Sequence, residues 1–377
     1  MRYFSWMNKV LVENKQRLMV LDVLRGLFVV GLIIIHLRLY PNLLLTISGR
    51  SKLWLSVGEG FFAVSGFLLG YLNRYSWFVD PIVSSKKLWK RSFKLYLWSI
   101  FTTLFFTIWG NLFPVGLVKE SLWQITSSNI GEMIMKTLSF RYVYGWADYL
   151  VFYTIYIFLT PLVLWLAARH KAWKIVAISL FIWLVRNNNL YMGMQVVFFM
   201  SLLVGFRYIE LEKAFAKIDY QKIKKLQNLV MMIFWGTLIF SIVSVHYFFV
   251  IKSLMQWFGV SDEVVSFVAQ KNLVLNLYFD KQTMGLGRLV LYPLWFLGVL
   301  SIVNRFKSTL AKLFGGIFLD FGKNSLKVYI IHAFVIFPVP WLSSKFGISG
   351  YSEYTLFTFL VLIIIYYINK YSENIKI

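Results

Sequence analysis

The first strongly apolar stretch of the chain contains three polar residues whose types and spacing suit chemistry. Asp22 lies three positions before Arg25, and His36 follows eleven positions after the arginine. At about 100° per residue, a helix places Arg25 and His36 roughly 20° apart around its axis and about 16 Å apart along it. A charged side chain at the centre of a membrane helix costs ~3 kcal/mol or more of insertion free energy. Three polar residues on one face of this helix therefore indicate a function. An imidazole can act as a general base, and a guanidinium can bind phosphate through its planar fork.

A carboxylate suited to orient His36 lies in the second apolar stretch. Glu59 stands in the run Val57-Gly58-Glu59-Gly60, near the predicted outer end of its helix, and His36 is predicted at a similar depth. A histidine and a carboxylate at one level on adjacent helices can form a hydrogen bond that fixes the imidazole tautomer and stabilises the imidazolium. The alternative is that Glu59 is an interfacial residue in contact with water.

Two further polar residues fall in apolar segments. Asp148 begins the fourth predicted span on the outer side, and His332 lies near the middle of the ninth. Each group has a structural alternative, with His332 as an interhelical hydrogen-bond partner, and Asp22 with Arg25 as a salt bridge at the membrane entry. With most polar groups at the outer half or the midplane, and Asp22 and Arg25 near the cytoplasmic end, the distribution predicts a polar route through the membrane.

Membrane helices must position these residues, because the composition is that of a polytopic membrane protein. Of 377 residues, 59% are hydrophobic and 15% are charged, and the mean hydropathy is +0.67. A soluble protein carries roughly 25% charged residues. We therefore predict an all-α membrane bundle of about ten helices, forming one domain over residues 1–377 with the bundle at 18–370 and no attached soluble domain. The predicted spans are 18–37, 54–72, 95–112, 148–168, 174–186, 190–206, 228–251, 288–304, 324–340 and 355–369.

The positions of the charged residues predict the orientation of this bundle. The formal net charge is +23, which in a soluble protein would indicate nucleic acid. Here most Lys and Arg residues fall in alternate loops, as the positive-inside rule requires, so both termini are predicted in the cytoplasm and nucleic acid is not expected as a partner. The segment 174–186 is short for a complete crossing of ~30 Å, and it either crosses with help from neighbouring protein or is re-entrant.

The remaining composition narrows the chemistry. The chain has no cysteine, which rules out disulfides, thiolate metal ligands and a cysteine nucleophile, and its four histidines lack metal-ligand spacing. No metal site is therefore predicted. The basic segment Met1–Arg17 and the long apolar run after it do not match a cleavable signal peptide, so the first span is expected to stay as an anchor.

Three runs together resemble the membrane-bound acyltransferase-3 superfamily. That superfamily has an L-D-x-L-R-G pattern in the first helix, with an arginine and a histidine separated by ten residues, matched here by Arg25 and His36. Its F-F-x-x-S-G-F element resembles Phe61–Phe67, and its G-x-x-S-L-x-x-Y-x-x-H ending resembles Gly322–His332. Details around Glu59 and Asp148 and in the run 195–199 resemble the OpgC-type branch, the succinyltransferases of periplasmic glucans.

The resemblance implies an acyl-CoA-dependent O-acyltransferase in the bacterial cytoplasmic membrane. Such an enzyme moves an acetyl or succinyl group from cytoplasmic acetyl-CoA or succinyl-CoA to a hydroxyl of a cell-envelope or surface polysaccharide, often lipid-linked. The donor is a substrate, and no permanently bound cofactor is expected. A cationic outer residue such as Arg141 or Arg186 would favour succinyl over acetyl.

The same resemblance implies roles for individual residues. Arg25, held by Asp22, would guide the anionic donor, and His36 would take the proton of the sugar hydroxyl, oriented by Glu59 or Asp148. In a variant mechanism the acyl group rests on His36 or His332 before transfer.

Two other function classes are compatible with a polytopic chain of this kind. A glycan or lipid transporter or flippase commonly has inverted repeats, and no repeat is evident here. A membrane glycan polymerase usually has a large outer loop rich in arginine and acidic residues, and neither long outer loop is that rich. Release of free CoA thiol from acyl-CoA in the presence of a glycan separates these classes from an acyltransferase.

Overall fold

The computed structural model describes residues 15–48, 53–112, 123–187, 189–247 and 251–372, and within them the chain is helical without strands. The helices, numbered in chain order, are α1 Lys15–Leu37, α2 Leu45–Ser48, α3 Val57–Val79, α4 Pro81–Leu112, α5 Ile130–Leu138, α6 Asp148–Ala168, α7 Ala172–Leu184, α8 Leu190–Phe206, α9 Tyr208–Phe215, α10 Tyr220–Val245, α11 Ile251–Trp257, α12 Asp262–Leu277, α13 Leu286–Arg305, α14 Lys307–Lys323, α15 Ser325–Ile336, α16 Val339–Lys345 and α17 Tyr351–Tyr371.

Seven stretches of the described residues are long and apolar enough to cross a membrane. They are Met19–Leu37, Pro81–Leu112, Asp148–Ala168, Tyr220–Val245, Leu286–Arg305, Ser325–Lys345 and Tyr351–Tyr371. The all-α membrane class predicted from the sequence is therefore confirmed, whereas the count of ten spans and the cytoplasmic termini stay predictions.

The three other predicted spans differ from these seven for visible reasons. Helix α3 has sufficient length, but its glycines and polar side chains, including Glu59 and Arg74, reduce its apolar character. Helix α7 has 13 residues, which at 1.5 Å each span about 20 Å, less than the ~30 Å hydrocarbon core. Helices α8 and α9 form one apolar pair bent by 65°.

The chain divides into two compact units, each assembled from three separated segments. The first unit comprises the described residues up to Leu32 with Leu45–Tyr71 and Ile178–Ser325, and the second comprises Ile33–Leu44, Leu72–Ala177 and Leu326–Ile377. Helices α1, α3, α7 and α15 contribute residues to both units. The prediction of one domain over the whole chain stays a prediction.

In the first unit, motif glycines allow α1 and α14 to approach closely. A Cβ added to Gly26 would overlap the backbone carbonyl of Phe318, and a Cβ added to Gly322 would overlap that of Asp22. Two glycines on facing helices therefore hold this crossing, as small residues do between membrane helices. The crossing fixes the part of α1 that carries Asp22 and Arg25.

A separate aromatic core of the first unit lies around α10 and α13. The indole of Trp54 stacks on Phe279, with ring centres 3.9 Å apart and planes within 2°. Trp54 also donates from Nε1 to Asn276 Oδ1 at 3.0 Å. The buried residues of this core are Trp54, Leu55, Phe234, Leu291 and Trp295.

In the second unit, side chains of α4 donate hydrogen bonds to backbone carbonyls of α6. Ser92 Oγ donates to the carbonyl of Thr154 at 2.7 Å, and the indole of Trp89 donates to the carbonyl of Phe158 at 3.1 Å. Helix α15 is joined to α17 by Lys327, whose buried Nζ donates to the carbonyl of Asn369 at 3.2 Å. This cation lies at the C-terminal end of α17, where the helix dipole favours a positive charge.

Candidate active site

Two histidines from opposite ends of the chain form a buried pair in the second unit. His36 is in the last turn of α1 and His332 is in α15, and both side chains are buried. The Nδ1 atom of His36 is 2.9 Å from Nε2 of His332, and the rings stack with centres 5.1 Å apart and planes 22° apart. The sequence predicted a role for each histidine, but not their contact.

Hydrogen bonding sets the tautomer of this pair. A backbone carbonyl only accepts hydrogen bonds, so Nδ1 of His332, which contacts the carbonyl of Tyr329, carries a proton. Neutral imidazole has one proton, so Nε2 of His332 accepts, and Nδ1 of His36 is the donor between them. Burial favours this neutral pair, because a buried charge loses its hydration. Nε2 of His36 then carries the lone pair that a general base needs.

Asp148 is connected to the histidines through Tyr329. The phenol of Tyr329 donates to Asp148 Oδ1 at 3.2 Å, and the backbone N–H of Tyr149 donates to the same oxygen at 2.6 Å. Because the carbonyl of Tyr329 receives the proton of His332, a single tyrosine joins the carboxylate to the histidine pair. Asp148 therefore contacts the side chain of the residue whose backbone carbonyl holds His332.

Aromatic rings enclose the imidazole of His36. The ring of Tyr149 meets it edge-on at 6.3 Å and 71°, and that of Tyr329 does so at 6.0 Å and 73°. Sequence reasoning assigned no role to Tyr149 or to Tyr329, although Tyr329 is the tyrosine of the G-x-x-S-L-x-x-Y-x-x-H motif. Tyr329 had a usable signal, since it lies three residues before His332 and therefore on the same helix face.

A second aromatic cluster follows His332 along α15. It consists of Phe106, Tyr144, Ala333 and Phe337, with the indole of Trp146 against it. The rings of Phe106 and Phe337 stack at 5.0 Å. Burial raises the pKa of the Tyr144 phenol above its ordinary value, so the cluster is neutral.

The first unit holds the predicted donor-binding residues. The guanidinium carbon of Arg25 lies 5.9 Å from the ring centre of Phe61, in cation–π range. The charges of Arg25 and Lys323 both act on the carboxylate of Asp22. Lys323, at the end of α14, was not among the predicted site residues.

Glu59 is also in the first unit, where both of its oxygens are engaged. Oε1 forms an ion pair with Arg288, and Oε2 accepts hydrogen bonds from the backbone N–H of Ser56 at 3.0 Å and from its hydroxyl at 2.6 Å. The spacing Ser56-x-x-Glu59 places both residues at the N-terminus of α3, in the manner of a capping box. Glu59 is 1% exposed. It therefore does not contact water as an interfacial residue would.

The predicted site residues thus form two groups. His36, Asp148 and His332 lie together in the second unit, and Asp22, Arg25 and Glu59 lie in the first. The predicted pairing of Glu59 with His36 joins the two units and stays a prediction. Among the described residues, no three histidine, aspartate or glutamate side chains converge as metal ligands would.

Comparison with known protein families covers almost the whole chain. The family described as OpgC protein matches residues 17–191 and 192–377. This chain belongs to the OpgC family. No curated protein and no solved structure gives a significant match.

Membership in the OpgC family indicates a membrane acyltransferase of the glucan succinyltransferase type. The predicted OpgC-type assignment is therefore confirmed at family level, and the wider acyltransferase-3 relationship stays a resemblance. In the part of this OpgC-family chain that the structure describes, the histidine pair presents at Nε2 of His36 the lone pair that a general base uses.

Proposed function

We propose that this protein transfers an acetyl or succinyl group from cytoplasmic acyl-CoA to a hydroxyl of a cell-envelope glycan. The observation that carries the proposal is the chain of contacts from Tyr329 to His332 to His36, which leaves Nε2 of His36 as the basic nitrogen. A base held in one tautomer and one orientation is what transfer of an acyl group to an alcohol requires.

The proton and the acyl group move as follows. Nε2 of His36 takes the proton of the sugar hydroxyl while that oxygen attacks the thioester carbonyl. The tetrahedral intermediate collapses with cleavage of the C–S bond, and the imidazolium of His36 returns the proton to the departing CoA thiolate. During the cycle, Nε2 of His332 accepts the Nδ1–H hydrogen bond and stabilises the positive charge on His36, as a carboxylate does in hydrolase triads.

Donor binding is assigned to the basic residues of the first unit. Arg25 and Lys323 supply positive charge for the phosphates of CoA, and the charges of both act on the carboxylate of Asp22. Arginine suits this task because its guanidinium binds two phosphate oxygens at once. The positive-inside distribution predicts that this end of α1 lies on the cytoplasmic side, where acyl-CoA is available.

The acceptor is a glycan or a lipid-linked glycan at the outer face of a bacterial cytoplasmic membrane. The OpgC family indicates acyl transfer to glucan, which supports this acceptor class over transport or glycan polymerisation.

The test is release of CoA thiol by purified protein in lipid nanodiscs supplied with acyl-CoA and glucan. We expect the His36→Ala variant to lose about 10²–10⁴-fold in turnover, the usual contribution of general-base catalysis. His170→Ala is the matched control, since His170 is exposed at the end of α6, and it should keep normal activity. A His36→Ala protein that acylates glucan at the normal rate would show that the base is elsewhere.

A further inference from the structure

The proposed reaction gives no role to a tryptophan that lies beside the histidine pair. Trp146 is in the turn that precedes α6, where the backbone N–H of Ala147 donates to the carbonyl of Tyr144 at 2.7 Å. Tyr149 follows three residues later, and its ring meets that of His36 edge-on at 6.3 Å. Trp146 is thus part of the second unit, which also holds the candidate base.

Three other aromatic rings hold the indole of Trp146. Its ring centre lies 5.3 Å from that of Tyr144, 5.6 Å from that of Phe106 and 6.1 Å from that of Phe337, and each pair is nearly perpendicular. Those three side chains are buried, whereas Trp146 is only partly buried. The buried rings therefore fix the orientation of an indole that stays partly accessible.

Hydrogen-bond donors and open space lie next to this indole. Within the described residues, the N–H of Trp146 donates to no acceptor. Arg38, two residues after His36, is exposed, and its charge acts on the phenol of Tyr144. Gly145 is exposed as well, and no described atom lies within 4 Å of a Cβ added to it. This part of the second unit thus offers an aromatic ring, an indole N–H and a guanidinium.

A pyranose sugar fits this combination of groups. The face of an aromatic ring is electron-rich, so it attracts the C–H groups on one face of a pyranose. The hydroxyls at the edge of the sugar accept hydrogen bonds from N–H donors such as those of tryptophan and arginine. A lipid acyl chain would use the ring of Trp146 but none of the donors beside it.

We infer that Trp146 stacks on a pyranose ring of the acceptor glucan and thereby positions the hydroxyl of a neighbouring sugar at Nε2 of His36. Arg38 donates to hydroxyls of the bound glucan. The inference rests on the proposed acyl transfer and adds to it a residue that binds the acceptor. The acceptor subsite and the base then belong to the same unit.

The first experiment measures sugar binding to the wild-type protein without acyl-CoA. Isothermal titration calorimetry in lipid nanodiscs gives Kd for cellopentaose, maltopentaose and sorbitol, an open-chain polyol that has hydroxyls but no ring face. We expect at least one of the two glucans to bind about tenfold more tightly than sorbitol, the size of one good aromatic contact. Equal binding of all three probes, or no binding, would overturn the inference.

The second experiment changes the tryptophan and keeps its position apolar. Trp146→Phe retains a flat ring, whereas Trp146→Leu does not. We expect Kd for the preferred glucan to rise about tenfold in Trp146→Leu and less than about threefold in Trp146→Phe. Trp173→Leu is the matched control, because Trp173 is exposed beyond the opposite end of α6. The thermal midpoint of each variant verifies its fold, and Trp146→Met replaces the leucine variant if that variant is not folded.

Kinetics distinguish a binding residue from a residue of the fold. In Trp146→Leu, KM for glucan should rise about tenfold, while kcat and KM for acyl-CoA should stay within about twofold of the wild-type values. Equal weakening in the leucine and phenylalanine variants would assign Trp146 to packing. Unchanged Kd in both would assign it to contact with lipid at the membrane interface, and either result overturns the inference.

The two proposals can fail separately. If glucan stimulates release of CoA thiol but the leucine variant binds glucan normally, the inference fails and acyl transfer stands. If glucan binding depends on Trp146 but no acyl-CoA releases thiol, the proposed function fails and the sugar site stands.

Discussion

At the scale of single residues, the basic nitrogen of His36 depends on a backbone atom. The carbonyl of Tyr329 accepts from His332, His332 accepts from His36, and only then is the tautomer of His36 determined. The nearest carboxylate in this series of contacts, that of Asp148, does not contact either histidine but accepts from the phenol of Tyr329. In the proposed mechanism, the role that an aspartate has in hydrolase triads is divided between a neutral histidine and a peptide group.

This arrangement predicts that Asp148 and Tyr329 affect the histidine pair through the same contact. Tyr329→Phe removes the phenol that contacts Asp148 but keeps the carbonyl that contacts His332, so turnover should fall about tenfold, the value of one hydrogen bond to a charged group. Asp148→Ala should cost a similar amount. The double variant should be no worse than Asp148→Ala alone, because Tyr329→Phe removes a contact that Asp148→Ala has already removed. The measurement is kcat for CoA release in a double-mutant cycle. KM for acyl-CoA is measured as well and should stay constant.

Additive losses in that cycle would mean that Asp148 acts on the reaction by a route other than Tyr329. A change confined to KM would instead assign both residues to substrate binding.

At the scale of helices, some residues of the sequence motifs are needed for helix packing and not for chemistry. Gly26 follows Arg25 directly, and Gly322 precedes Lys323, and these two glycines are where α1 and α14 touch. The close contact at Gly26 and Gly322 thus fixes the positions of the neighbouring charged residues, Arg25 and Lys323. Similarly, a Cβ on Gly66 or Gly70 of α3 would overlap a carbonyl of α8.

Gly26→Ala should destabilise the protein because its methyl group would overlap the carbonyl of Phe318. Overpacking of this kind costs typically about 1–3 kcal/mol, and the thermal midpoint in detergent should fall by several degrees. The matched control is Gly236→Ala in α10, where no atom lies within 4 Å of the added Cβ. That change should be neutral or slightly stabilising, because alanine favours helix over glycine by ~1 kcal/mol. Equal midpoints for the two variants would contradict close packing at Gly26.

At the scale of the whole molecule, the orientation of the helices in the membrane decides where each substrate arrives. The ten-span prediction places the loop containing Ser128 and the turn at Asn187 outside, and the loop containing Lys217 inside. All three residues are exposed. The chain has no cysteine, so a single introduced cysteine reports its own location without a background signal.

In intact cells, a membrane-impermeant maleimide should label Ser128→Cys and Asn187→Cys but not Lys217→Cys. Lys217→Cys should become labelled once the membrane is permeabilised, and the cysteine-free parent should give no signal in either condition. Labelling of Ser128→Cys without Asn187→Cys would make α7 and α8 a re-entrant pair, consistent with the 13 residues of α7. Labelling of Lys217→Cys in intact cells would invert the later half of the topology.

Several properties of this protein follow from the sequence alone. Apolar runs determine a helical membrane protein, since a backbone in lipid must satisfy its own hydrogen bonds. The spacing of Arg25 and His36, together with two further motifs, resembles the acyltransferase-3 superfamily. Details around Glu59 and Asp148 and in the run 195–199 indicated the OpgC-type branch, and the family match agrees with that branch. These are local features, carried by residues close together in the chain.

The partners of the functional residues were decided by the tertiary structure. His36 and His332 are 296 positions apart, and Arg288 and Glu59 are 229 apart. Helical periodicity predicts which face a residue occupies but does not say which distant helix lies opposite. A single sequence therefore identifies the imidazole and the carboxylate, and only the packing of the helices shows that His36 meets a second histidine and that Glu59 meets a buried arginine.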